Sequence, residues 1–143
     1  MKKFIILFIA LVIAIVAGIY GYFTYNNEVK NIKRTNAEYE AYYNKEIYGA
    51  EFATIINKAI DNNEKYDIKK DNKGKYIDNN KDSIKLDIKI IDNNIIYDME
   101  TIYSGGINKF VENFNLIKFK CTSITYHKET GKIKYMYFEQ ITK

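Results

Sequence analysis

His127 and Cys121 are the only histidine and the only cysteine among 143 residues, so nucleophile–base or thiolate chemistry would have to begin with them. They stand six residues apart on strand-like sequence, an even spacing that points both side chains to one face. Six residues of extended chain cover about 20 Å, however, far beyond the ~3 Å reach of a nucleophile–base hydrogen bond. No Cys–His catalytic pair is expected, and His127 is expected as a solvated turn residue. A lone cysteine forms no intrachain disulfide, CxxC redox pair or tetrahedral zinc site. Cys121 also lies too far from the N-terminus to be a lipid-attachment cysteine, and it is expected to be buried as a small hydrophobe.

Other residues of chemical type arrange themselves no better. Asp61, Glu64, Asp67, Asp71, Asp78 and Asp82 cluster in a polar stretch. Counting back from Gly74 places Lys69 where a calcium loop needs its first acid, so that pattern fails and a solvated loop is expected. Ser104-Gly105-Gly106 precedes a helical pattern, but no P-loop Lys-Ser/Thr or GxGxxG accompanies it. Catalytic, cofactor-binding and metal-ligating residues are therefore assigned to none, and the chain is not expected to be an enzyme. Tyr126, Tyr135 and Tyr137 concentrate aromatics in the last hairpin. Tyr135 and Tyr137 share one strand face and Met136 and Phe138 the other, so one face is core and the other a candidate interaction surface.

Charge excludes a class of partner. There are 22 Lys+Arg and 18 Asp+Glu, for a formal charge of +4, and Lys2 and Lys3 supply half of that excess. The rest of the chain is close to balanced with both signs interspersed, so no nucleic-acid partner is expected. Pro and Trp are absent, while Ile, Lys, Asn and Tyr abound as AT-rich codons would dictate, which lowers the weight of tyrosine number alone.

The elements that must position these residues begin with an anchor. Phe4, Ile5, Ile6, Leu7, Phe8, Ile9, Ala10, Leu11, Val12, Ile13, Ala14, Ile15, Val16, Ala17, Gly18, Ile19, Tyr20, Gly21, Tyr22 and Phe23 form an apolar run without charge or proline. About 20 helical residues at 1.5 Å each span the ~30 Å hydrocarbon core of a bilayer. A cleavable signal would use Ala17 or Gly18, but the run continues past them with no polar segment before the cut, which favours retention. Lys2 and Lys3 place the N-terminus in the cytoplasm and the domain outside, although Lys30, Lys33 and Arg34 oppose that orientation.

Beyond the run, Tyr25, Val29, Ile32, Asn36, Tyr39 and Tyr43 follow 4-3-4-3-4 spacing on one helical stripe. That stripe serves as a coiled-coil seam or as the back of a helix resting on its own domain. Gly49 marks a break, and Phe52, Ile55, Ile56, Ala59 and Ile60 give a second amphipathic helix ended by Asp61-Asn62-Asn63. Ile84–Ile91 alternates with period two, Asp92-Asn93-Asn94 supplies a turn, and a return strand runs Ile95–Ile102. Ser104-Gly105-Gly106 should break that strand and open a helix carrying Ile107, Phe110, Val111 and Phe114. Ile117–Tyr126 and Ile133–Ile141 form a second hairpin.

The layout of apolar helix, continuing helix and small sheet resembles that of type IV pilins. The family's processing motif is absent, because the run begins directly after Lys3 and the first acid is Glu28. The chain also resembles small signal-anchored membrane proteins of unknown function from low-G+C bacteria, a resemblance that implies a location but no activity. The expected fold is α+β, with a transmembrane helix continuing into an amphipathic helix. A four-stranded antiparallel sheet of two hairpins follows, with a helix between them and helices on one face. The expected division is 1–25 anchor, 26–48 juxtamembrane helix and 49–143 extracytoplasmic domain. Its partners are expected to be the membrane and a protein, either another chain or a second copy.

Overall fold

The structure is a computed structural model and describes residues 2–91 and 94–141. The chain divides into two compact units, Met1–Arg34 and Thr35–Lys143. Helix α1 (Lys2–Glu40) makes up the described part of the first unit. It contains no proline, and its residues from Lys2 to Tyr25 are all exposed. Among the described residues it is the one helix long and apolar enough to cross a membrane, with none of its apolar window buried.

The second unit is α+β. After the end of α1 come β1 (Glu46–Tyr48), α2 (Gly49–Lys65), β2 (Lys85–Ile90), β3 (Ile95–Asp98), α3 (Met99–Phe114), β4 (Lys118–Tyr126) and β5 (Ile133–Gln140). Both expected hairpins are present as the antiparallel pairs β2–β3 and β4–β5. The sheet order is β1-β4-β5-β2-β3, so a fifth strand lies outside β4 and the two hairpins meet along β2 and β5. That central pair is parallel, with Asp87 opposite Tyr137 and Ile88 opposite Phe138. The cause is α3. It carries the chain from one sheet edge across the helical layer into β4, which runs in the same direction as β3, making a βαβ crossover rather than a simple turn.

Two boundaries differ from the sequence expectation. α1 stops at Glu40 rather than near residue 48, where Asn44 takes a left-handed φ of 59° and turns the chain into β1. The return strand stops at Asp98, not Ile102, because the Asp98 carboxylate accepts a hydrogen bond from Thr101 N at 2.8 Å and caps a helix there. This N-cap satisfies one of the helix's otherwise orphaned N–H groups and places Met99 in the core. Ser104-Gly105-Gly106 thus lies within α3, where Gly106 (φ 101°, ψ 111°) interrupts the helical conformation. Of the expected Asp92-Asn93-Asn94 turn, Asp92 and Asn93 lie outside the described residues, and Asn94 has the positive φ (53°) expected of it.

α2 packs the predicted face inward, with Phe52, Ile55, Ile56 and Ala59 each fully buried and Ile60 nearly so. Phe52 lies 4.7 Å from Phe138 and 5.7 Å from Phe119 between ring centroids, joining helix to sheet. Gly49 begins α2 because nothing larger fits. A Cβ there would lie 2.0 Å from the Phe114 carbonyl oxygen.

Three amide side chains stitch the layers. Asn63, fully buried, accepts from Ile84 N and donates to Ile84 O, both at 2.8 Å. Asn36 does the same across the start of β5, donating to Gly131 O at 2.8 Å and accepting from Ile133 N at 2.9 Å. Gln140 accepts from Ile91 N at 3.1 Å. Asn36 therefore fastens the end of α1 to the last hairpin, and Tyr39 beside it is buried. The stripe from residue 35 onward rests on its own domain.

Candidate interaction surface

Strand β2, and β5 from Tyr135 onward, bury every second side chain beneath α2 and α3 and leave the alternate ones half-buried on the opposite face. That face carries Tyr135, Tyr137 and Glu139 from β5, Lys85, Asp87 and Lys89 from β2, and Lys118 and Lys120 from β4. Neither α2 nor α3 covers it. The register sets out its chemistry in rows. Glu46, Lys120, Glu139 and Lys89 lie successively opposite one another across four strands, alternating in sign. Such cross-strand pairs favour the sheet by roughly 0.2–1 kcal/mol each.

The next row places Ser123, Tyr137, Asp87 and Asp98 side by side. Asp87 opposite Asp98 brings two carboxylates together, and the fold deals with each separately. Asp98 pairs with Lys75 at 2.5 Å, and although burial opposes it, this partner with Thr101 holds its carboxyl below the ordinary range. Asp87 is raised above that range, chiefly by burial and further by Asp98, while a hydrogen bond from Tyr135 at 3.0 Å works the other way. The Tyr135 hydroxyl is raised in turn by burial and by that carboxylate, so it stays protonated and donates. Tyr135, Tyr137 and Asp87 thus form a contiguous half-buried patch ringed by charges of both signs.

Tyr126 stands apart from that patch. β4 has register irregularities between Cys121 and Ser123 and between Thr125 and Tyr126, and Tyr126 falls opposite Ile133. Its ring is exposed, and its hydroxyl donates to Glu40 at 2.8 Å. Of the three predicted residues, the structure brings Tyr135 and Tyr137 together.

The polar corner beside the last hairpin corrects one expectation. His127 is not solvated but 2% exposed, and its Nε2 lies 2.7 Å from Ser83 O. A carbonyl only accepts, so Nε2 carries a proton, leaving Nδ1 without a partner and 3.8 Å from Asp78 Oδ1. Asp78 is the hub. It accepts from Asn80 N and the Ser83 hydroxyl and pairs with Lys134, and these bonds outweigh burial to hold its carboxyl down at about 2. The Ser83 hydroxyl donates to this carboxylate and not to the imidazole, so the corner lacks the geometry of a serine–histidine nucleophile.

Lys132, a residue type expected at the surface, is buried with its Nζ 3.7 Å from the Tyr66 ring centroid and 3.4 Å from Asp82. Burial lowers its pKa despite the carboxylate. The Gly131 that precedes it takes a left-handed φ of 70° in the turn. Cys121 is buried as expected, its thiol donating to Ser123 O at 3.6 Å and pushed up by burial to about 11, which leaves it a poor nucleophile at neutral pH. Among the described residues no group of three or more His, Cys, Asp or Glu stands ready for a metal ion. No protein-family profile, curated protein or solved structure matches the chain.

Proposed function

We propose that this chain is a single-pass membrane protein of the cell envelope whose α+β unit is a non-catalytic interaction module. The observation that carries the reading is the run Phe4–Phe23, a helix with every side chain exposed and no polar face. An apolar surface of that size needs a bilayer to cover it. Lys2 and Lys3 favour a cytoplasmic N-terminus, which puts the α+β unit outside the cytoplasm. The resemblance to signal-anchored proteins agrees with that location.

The partner is a protein, and the surface is the uncovered sheet face around Tyr135 and Tyr137. Tyrosines combine apolar area with a polar tip and lose little entropy when ordered, so they recur at interaction hot spots. The alternating charges around them suit a polar rim. A photocrosslinking residue placed at Tyr137 in native membranes tests this. Discrete adducts from Tyr137, absent when the same residue replaces exposed Glu112 on α3, are expected. Equal and diffuse adducts from both positions would remove the sheet face as the interaction surface.

A further inference from the structure

A cleft opens on the helical side of the sheet, between α3 and the β2–β3 edge, with a volume of about 260 Å³. Its floor is apolar, formed by Ile88 and Ile90 from β2 and Ile102, Phe110 and Phe114 from α3. At its lip α3 is interrupted, with Gly106 at φ 101° beside Gly105. Packing does not demand this pair. A Cβ on Gly105 would meet nothing within 4 Å, and one on Gly106 would meet only the Lys109 side chain at 3.9 Å. The break therefore leaves open space where a continuous helix would have set side chains.

The polar groups around the cleft are few and unequal. Lys109 brings the one formal charge in the lining, no carboxylate lines the cleft, and among the described residues Lys109 has no ion-pair partner. The other polar side chains are Tyr97, Thr101 and Asn113; the Asn113 amide donates one N–H to the Lys109 carbonyl, and Thr101 is engaged with Asp98. A peptide laid in the cleft would bring a row of backbone N–H and C=O groups, more than these few side chains match. One cation beside an apolar floor complements a single anionic head on a hydrocarbon body. At ~30 Å³ per water-sized group, the volume holds about eight to ten heavy atoms.

We propose that this cleft binds a free medium-chain alkyl carboxylate, its chain against Tyr97, Ile102, Phe110 and Phe114 and its carboxylate on the Lys109 ammonium. The site lies on the opposite side of the sheet from the tyrosine face and does not depend on that face's role.

The test uses the full chain in lipid nanodiscs and a hexanoate carrying a photoreactive diazirine, with labelled peptides read by mass spectrometry. Saturable labelling of peptides from β3 and α3 is expected, displaced by hexanoate but not by hexyltrimethylammonium. Gly105→Phe, which places a ring in the open lip, abolishes it. Lys109→Glu lowers apparent affinity about tenfold or more, the scale of one charge-assisted hydrogen bond. Lys109→Ala, at an exposed position that does not threaten folding, lowers it in the same direction. Labelling confined to residues 4–23, indifference to both Lys109 variants, or equal displacement by the cationic amphiphile would overturn the proposal. Stronger displacement by an apolar peptide than by hexanoate would overturn it in favour of a peptide groove.

Discussion

Asn63 offers the sharpest perturbation of this fold. Its amide closes two hydrogen bonds of 2.8 Å on a single residue, Ile84, where the chain enters β2, and all of this is buried. Asn63→Leu keeps the volume but orphans the Ile84 N–H and C=O together. Each buried backbone group left unsatisfied costs roughly 1–3 kcal/mol, so the pair costs about 4 kcal/mol. A domain of this size has ~5–15 kcal/mol of stability in all, which makes the loss a large fraction of the total. Urea denaturation of the full chain in detergent, followed by tyrosine near-ultraviolet circular dichroism because the chain has no tryptophan, measures it. Hydrogen exchange at the Ile84 amide should accelerate in parallel. Asn63→Asp provides the internal control. The new carboxylate would face the Ile84 carbonyl, and burial would raise its folded pKa. Stability is then present at low pH, where the protonated acid donates, and is lost as pH rises through that pKa. A loss under about 1 kcal/mol for Asn63→Leu, with Ile84 exchange unchanged, would refute the clasp.

Three other outcomes follow from the same physics. Gly49→Ala should destabilise by about 3 kcal/mol in the same denaturation assay, because its methyl meets the backbone of Phe114, which cannot yield as a side chain would. Asp78, depressed from 3.8 to about 2, contributes about 2 kcal/mol that is present above pH 3.8 and is lost as pH falls toward 2. The stability difference between the wild type and Asp78→Asn should therefore shrink over that window, and a constant difference would count against the hub. The Cys121 thiol should resist alkylation at pH 8 in the folded chain and react promptly in denaturant, so fast labelling of the folded protein would contradict its burial.

The legible parts of the fold were those with strong local periodicity. Phe52, Ile55, Ile56, Ala59 and Ile60 declared a helix, the alternation around Leu86 and Ile88 declared a strand, and both hairpins followed. The parallel meeting of β2 with β5 was not legible, because no residue pattern encodes which edges join; it follows from α3 acting as a crossover. The start of α3 was hidden by Ile102, which suited a strand equally well, although Asp98 three residues before Thr101 was the available capping signal. β1 is three residues long and left no periodic trace. Asn36 on the helical stripe, Asn63 at the expected helix end and Gln140 in the last strand give no sign of their backbone partners, which are distant in sequence. His127 and Lys132 were misjudged or missed for the same reason, since residue type predicts exposure and only tertiary partners reverse it. Tyr135 and Tyr137 were placed on one face by period two alone, whereas Tyr126 was displaced from them by an irregularity in β4 that the sequence does not announce.

The central claim is that residues 4–23 are a permanent membrane anchor, and alkaline carbonate extraction of membranes with N-terminal sequencing of the recovered chain tests it most directly. The chain is expected to stay in the pellet and to retain Phe4–Phe23. A soluble chain whose sequence begins near Gly18 or Ile19 would contradict it and identify the segment as a cleaved signal.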